Sequence, residues 1–121
     1  MFICRFELVD GKVEEFTHLV RQAMKDIEST ERGTLSFNII YDEPTACHTV
    51  ELYRNSRAAI THILNMQNNE HAIDCIKELA KIKVLEVHGQ VSTSLKAILN
   101  GEDYEVVHHA KHLCKAFSNG Y

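Results

Sequence analysis

The stretch from Cys47 to Met66, CHTVELYRNSRAAITHILNM, constrains the fold more than any other, because a strand pattern passes into a helix pattern with no linker between them. His48-Thr49-Val50-Glu51-Leu52-Tyr53-Arg54 alternates apolar and polar and is rich in β-branched and aromatic residues, which reads as a half-buried strand. Asn55 or Ser56 then caps a helix. In that helix Ile60, Ile63 and Leu64 form one apolar stripe, while Ala58, His62 and Met66, spaced four apart, form a second on the opposite side. The first stripe is expected to pack on a sheet. The second is left to line a cleft or to meet a partner.

The rest of the chain follows the same two periods. Phe2, Cys4, Phe6 and Leu8 alternate with Ile3, Arg5, Glu7 and Val9 in a first strand that ends at the turn pair Asp10-Gly11. Val13, Phe16, Leu19, Val20, Ala23 and Ile27 then recur at helical spacing, with Glu14 and Glu15 in the first turn, where the helix dipole favours anions, and Gly33 as the stop. Thr34 to Tyr41 alternates again, and Asp42-Glu43-Pro44-Thr45 turns it back as a hairpin into the strand before the histidine helix. A further helix runs over Ala72 to about Lys81 and a strand over Lys83 to His88. A short helix over Ser92 to Leu99 and a last short strand over Tyr104 to Val107 close the pattern.

Strand, helix, strand, strand, helix, strand is the order of the ferredoxin-like split βαβ motif, an α+β fold with helices on one face of an antiparallel sheet. Phe2, Cys4, Phe6, Leu8, Leu35, Phe37, Ile39, Val50 and Leu52 form the apolar set expected beneath the helices. The opposite face would carry Ile3, Val9, Ile40 and Tyr53 among its polar residues, a patch that a copy of itself could cover, so a homodimer is expected. One domain is expected over 1–121, with a core over about 1–95 and an extension over about 96–121.

Composition narrows the partners. A net charge of −4, from 17 acidic against 13 basic residues without a basic block, argues against nucleic acid and anionic membranes and leaves a small molecule or another protein. Neither a signal peptide nor a membrane-spanning run is found, which predicts a cytoplasmic protein. The cysteines at 4, 47, 75 and 114 form no Cys-x-x-Cys pair and are expected to be free thiols.

Glu51-Leu52-Tyr53, the Ser56-Arg57-Ala58-Ala59 that follows, and His62 resemble the strand-to-helix signature of the antibiotic biosynthesis monooxygenase family. Gly33-x-Leu35-x-Phe37 is similar to that family's second strand, and His88-Gly89-x-Val91-Ser92 to the end of its fourth in some members, so the resemblance covers about residues 1–95. It implies a dimeric α/β barrel. Members characterised as enzymes oxidise quinols or polyketide aromatics with oxygen and neither metal nor flavin, so no cofactor is expected. A subset bind and degrade haem, using a first-strand asparagine and a helix tryptophan, but here Arg5 and Glu7 occupy that strand, the chain has no tryptophan, and His62 falls in the tryptophan's place.

Cofactor-free oxygenation needs a base to deprotonate the substrate and donors to hold the anion. His62 is the candidate catalytic base, because a neutral imidazole can accept a proton. Asn38, Tyr53, Met66 and His71 are the candidate substrate-binding residues for a small aromatic quinol-like or polyketide-like molecule. Glu51 is expected in an ion pair with Arg5 or Arg57. A ligand-binding or interaction dimer without catalysis is the alternative. His108, His112 and Cys114 have a metal-like spacing, but Lys111 sits among them and no acid accompanies them, so no metal site is expected.

Overall fold

The computed structural model describes residues 1–110, in the order β1 (Phe2–Leu8), α1 (Val13–Thr30), β2 (Thr34–Glu43), β3 (Ala46–Tyr53), α2 (Ser56–Asn68), α3 (Glu70–Leu79), β4 (Ala80–His88), α4 (Thr93–Asn100) and β5 (Glu105–His109). The sheet order is β2-β3-β1-β4-β5, and the first four strands pair antiparallel, as the ferredoxin-like motif requires. Strand β5 adds to β4 in parallel, making the sheet mixed. A parallel neighbour needs a crossover, and α4 provides it.

Local chemistry fixes the helix starts. The side chain of Asn55 accepts from the Ala58 backbone N–H at 2.9 Å, Asn69 accepts from Ala72 at 3.2 Å, and Ser92 accepts from Leu95 at 3.1 Å. The helices cover one face of the sheet. Phe16 and Val20 of α1 pack with Leu8, Cys47 and Ala80, while Ala59 of α2 and Leu95 and Leu99 of α4 pack with Phe2, Cys4, Tyr53, Leu85 and Val87. Cys4, Cys47 and Cys75 are free thiols, and Cys114 lies outside the described residues.

Strand β3 faces the opposite way from the sequence expectation. Phe2 pairs with Glu51, Cys4 with Thr49 and Phe6 with Cys47, so Cys47, Thr49, Glu51 and Tyr53 lie beneath the helices, all buried, and Val50 and Leu52 face away. Because side chains alternate strictly along a strand, one wrong choice of face reverses every residue. Tyr53 is therefore a core residue, its ring edge-on to Phe2 at 5.1 Å, and not part of the outer patch. In β2 a register shift between Thr34 and Ser36 leaves Leu35 exposed, while Phe37 and Ile39 stay beneath the helices. The stripes of α2 also differ: Ala59 and His62 are its buried residues, and Leu64, assigned to the packing stripe, is 44% exposed.

Candidate active site

Between the helices and the sheet lies a cavity of about 740 Å³. Its walls are mainly apolar, with Phe2, Phe6, Phe16 and Phe37 among them, and Thr49, Glu51 and His62 bring polar atoms to the same space. Ligand sites are commonly apolar concavities of roughly 300–1,000 Å³ with a few placed polar groups, and this one fits that description.

Gln67, Lys77, Lys81, Glu102 and Asp103 line the cavity as well, while Glu51 and, from outside the lining, Glu31 approach His62, which is 8% exposed. Its Nδ1 lies 2.9 Å from Oε1 of Glu31, and its Nε2 lies 3.9 Å from Oε1 of Glu51. Only the first is a hydrogen-bond distance. The geometry thus assigns the ring proton to Nδ1, donated to Glu31, and leaves Nε2 as the acceptor nitrogen. Glu31 is anchored in turn, accepting from the Thr34 hydroxyl at 2.9 Å and from Nδ2 of Asn65 at 3.2 Å. Glu51 accepts from the Tyr53 hydroxyl at 2.5 Å through Oε1 and from the Thr49 hydroxyl at 2.6 Å through Oε2. Burial and then the Glu51 carboxylate push the Tyr53 phenol far above the usual tyrosine value, so Tyr53 remains a donor.

Three elements meet to build this cluster. Glu31 caps the C-terminus of α1, His62 sits midway along α2, and Glu51 lies on β3 opposite Phe2. The end of α1 and the start of α2 approach closely at Gly33, where a Cβ would come within 2.4 Å of the Ala58 Cβ. Only a residue without a side chain fits that gap. Glu31 and Glu51 are 7% and 6% exposed, and burying two acids against one imidazole is unfavourable unless each is hydrogen-bonded. Here each carboxylate has its partners.

Of the residues singled out in the sequence, His62 and Met66 line the cavity. Tyr53 reaches it indirectly, through Glu51. Asn38 pairs with Val50 on the face away from the helices and donates to the Ser36 hydroxyl at 2.9 Å, so it does not meet His62. His71 is exposed near the start of α3, 3.8 Å from the Cys75 sulfur. Glu51 pairs with neither arginine; Arg5 instead contacts Glu86 at 2.7 Å. The tail set falls largely outside the described residues, which include His108 but not His112 or Cys114. Glu31 went unnoticed in the sequence. Its signal was an acid at a helix C-terminus, where the dipole disfavours negative charge.

No protein-family model matches the chain, and no curated protein matches it. Solved structures do. MupZ from Pseudomonas fluorescens superposes with a TM-score of 0.69 at 20% identity, over 98% of this chain and 93% of that one. A conserved protein from Methanosarcina mazei Go1 gives 0.58 at 14% identity, over 69% and 86% of the two chains. A "putative Antibiotic biosynthesis monooxygenase" from Chloroflexus aurantiacus J-10-fl gives 0.53 at 18% identity, over 67% and 80%. What the chain shares with them is the fold. The ferredoxin-like α+β fold of the single chain, expected from the family resemblance, is thus found among solved structures.

Proposed function

We propose that the chain is a cofactor-independent monooxygenase that oxidises a small aromatic, quinol-like or polyketide-like substrate with molecular oxygen. The observation that carries this reading is the bracketing of His62: Nδ1 bonded to Glu31 at 2.9 Å and Nε2 without a partner at hydrogen-bond distance among the described residues, in a residue that lines an aromatic cavity. A phenolic hydroxyl seated at Nε2 gives its proton to the ring, and Glu31 stabilises the imidazolium that forms. The electron-rich anion then forms a bond from a C–H carbon of its ring to O2, and the proton held on the His62 imidazolium returns to the peroxide anion, yielding a substrate hydroperoxide. Loss of water leaves a carbonyl: one oxygen atom enters the product, the other departs as water, and the substrate supplies the electrons. Tyr104 lines the same cavity, and burial, then Glu102, raise its phenol well above the usual value, so it is a proton-bearing donor for the anion.

In this reading the working form is a homodimer paired through the sheet faces away from the helices, which would close the two open sheets into a barrel. Ile3, Val50, Leu52 and the exposed Ile40 provide the apolar part of that face. The reading also places the protein in the cytoplasm, where Cys4, Cys47 and Cys75 stay reduced. No helix among the described residues is long and apolar enough to cross a membrane.

Oxygen uptake on a panel of quinols and polyketide-like phenols tests the enzyme reading. The parent should consume one O2 per turnover and give a product that carries one oxygen atom from labelled O2 with no hydrogen peroxide released, and His62→Ala should not do so at a comparable rate. A second reading, a ligand-binding dimer without catalysis, is favoured by one feature: both oxygens of Glu51 and the Tyr53 hydroxyl are engaged with each other or with Thr49. Saturable binding of a panel compound with no oxygen uptake would select it.

A further inference from the structure

On the sheet face away from the cavity, we propose that Glu86, His88 and His109 form a binding site for a divalent transition-metal ion of the zinc or nickel class. The parallel register of β4 and β5 pairs His88 with His109, and Glu86, two residues before His88, points to the same side. The imidazole rings stack with centroids 4.5 Å apart and planes 10° from parallel. Oε1 of Glu86 lies 4.0 Å from Nε2 of His88 and 3.7 Å from Nε2 of His109, and all three donor atoms fall within 4.8 Å of one another. Around a tetrahedral zinc with bonds of about 2.0–2.1 Å, neighbouring donor atoms sit roughly 3.3–3.5 Å apart. The donor atoms stand farther apart than that, so binding an ion requires the three side chains to close in and the stacked rings to tilt until both Nε2 lone pairs converge.

Two further features fit a ligand set better than a chance cluster. Nε2 of His88 is buried with no hydrogen-bond partner among the described residues, and such an atom is unfavourable unless something coordinates or bonds it. Arg5 holds the other oxygen of Glu86, donating from Nε to Oε2 at 2.7 Å, an outer contact that orients the carboxylate and leaves Oε1 towards the histidines. Two imidazoles and one carboxylate suit zinc, nickel or copper better than magnesium or calcium. Three protein donors leave one position for water. Of the residues noted in the tail, His108 does not belong to this set, because it pairs with Val87 and faces the helix side of the sheet.

Calorimetric titration of the full chain with Zn2+, with Co2+ absorption as a spectroscopic check, tests the assignment. One ion per chain should bind, and Glu86→Gln, His88→Ala and His109→Ala should each weaken binding by at least about tenfold. Arg5→Ala should weaken it by about tenfold as an orienting contact. A His112→Ala, Cys114→Ser double variant should bind as the parent does. His109 is exposed, so its variant reads the site without disturbing the core, and a melting curve confirms that it is folded. No binding by the parent, unchanged affinity in His109→Ala, or loss of binding in the tail variant would each overturn the assignment.

Discussion

The two faces of the sheet depart from the simple alternation rule in opposite directions. Beneath the helices, where apolar side chains belong, β3 buries Thr49 and Glu51, and the helices add Glu31 and His62. On the far face, where water would permit polar residues, Ile3, Val50, Leu52 and Ile40 sit beside the Arg5–Glu86 pair and the stacked histidines. A protein selected only for stability would place apolar residues inside and polar residues outside. Polar groups inside an apolar cavity are what acid–base chemistry needs, and apolar groups outside are what a partner copy needs.

The largest expected effect separates the inner face from an ordinary core. His62→Ala should lower turnover by about 10²- to 10⁴-fold, the usual contribution of general acid–base catalysis. It should also destabilise the fold by about 1–3 kcal/mol, because Glu31 is left buried with one partner fewer. A quinol assay beside a denaturant melt measures both, and a variant with parental turnover would reduce the inner cluster to a structural device. Next in size, Gly33→Ala puts a methyl group 2.4 Å from the Ala58 Cβ. Overpacking of this kind costs about 1–3 kcal/mol. It should also part Glu31 from His62, so activity should fall by more than the lost folded fraction explains; equal losses would mean that the two helices do not need this approach.

Alkaline pH gives a smaller, graded effect confined to the inner face. Burial, then Asp42, pushes the Cys47 thiol from 9.0 up to about 11, and burial, then Glu51, raises Cys4 and Tyr53 as well. Each group holds its proton more tightly when folded. The unfolded chain therefore binds fewer protons once pH passes 9, and stability, complete below that point, falls as pH rises through 11. Urea midpoints between pH 7 and 11 should decline, less steeply in Cys47→Ala, and a flat profile would contradict the burial. The smallest effect on stability belongs to the outer face: Ile40→Asp, at a position 46% exposed, should shift the folding free energy by no more than about 0.5 kcal/mol. Sedimentation at micromolar concentration should give twice the chain mass for the parent and the chain mass for the variant; two identical masses would remove the dimer from the account.

Element order and type were legible because α1 and the first strands carry long, regular apolar periods and because α2, α3 and α4 begin at Asn or Ser side-chain caps. Strand β3 was not. Its alternation was clear, but the apolar phase of Val50 and Leu52 pointed to the wrong face, because the buried phase is occupied by Thr49 and Glu51. In α2 the stripes mostly kept their expected places: His62 and Met66 line the cavity, Ile60 and Ile63 pack against the core, and Leu64 alone leaves the packing stripe. Glu31 is 31 residues from His62 in the chain, and no local pattern links them. Where function puts polar residues inside, hydrophobic phase misleads, and the register with a neighbouring strand decides the face.

The proposed chemistry stands on one tautomer: Glu31 holds the His62 proton on Nδ1, and Nε2 is left free to act as the base. Nitrogen-15 NMR of imidazole-labelled protein reads that tautomer directly, with His62→Ala identifying the signal. Nδ1 should be protonated and Nε2 unprotonated, with the Nε2 resonance shifting when a quinol analogue enters the cavity, and Glu31→Gln should disturb the Nδ1 proton. A His62 carrying its proton on Nε2, with a spectrum indifferent to the analogue, would contradict that chemistry.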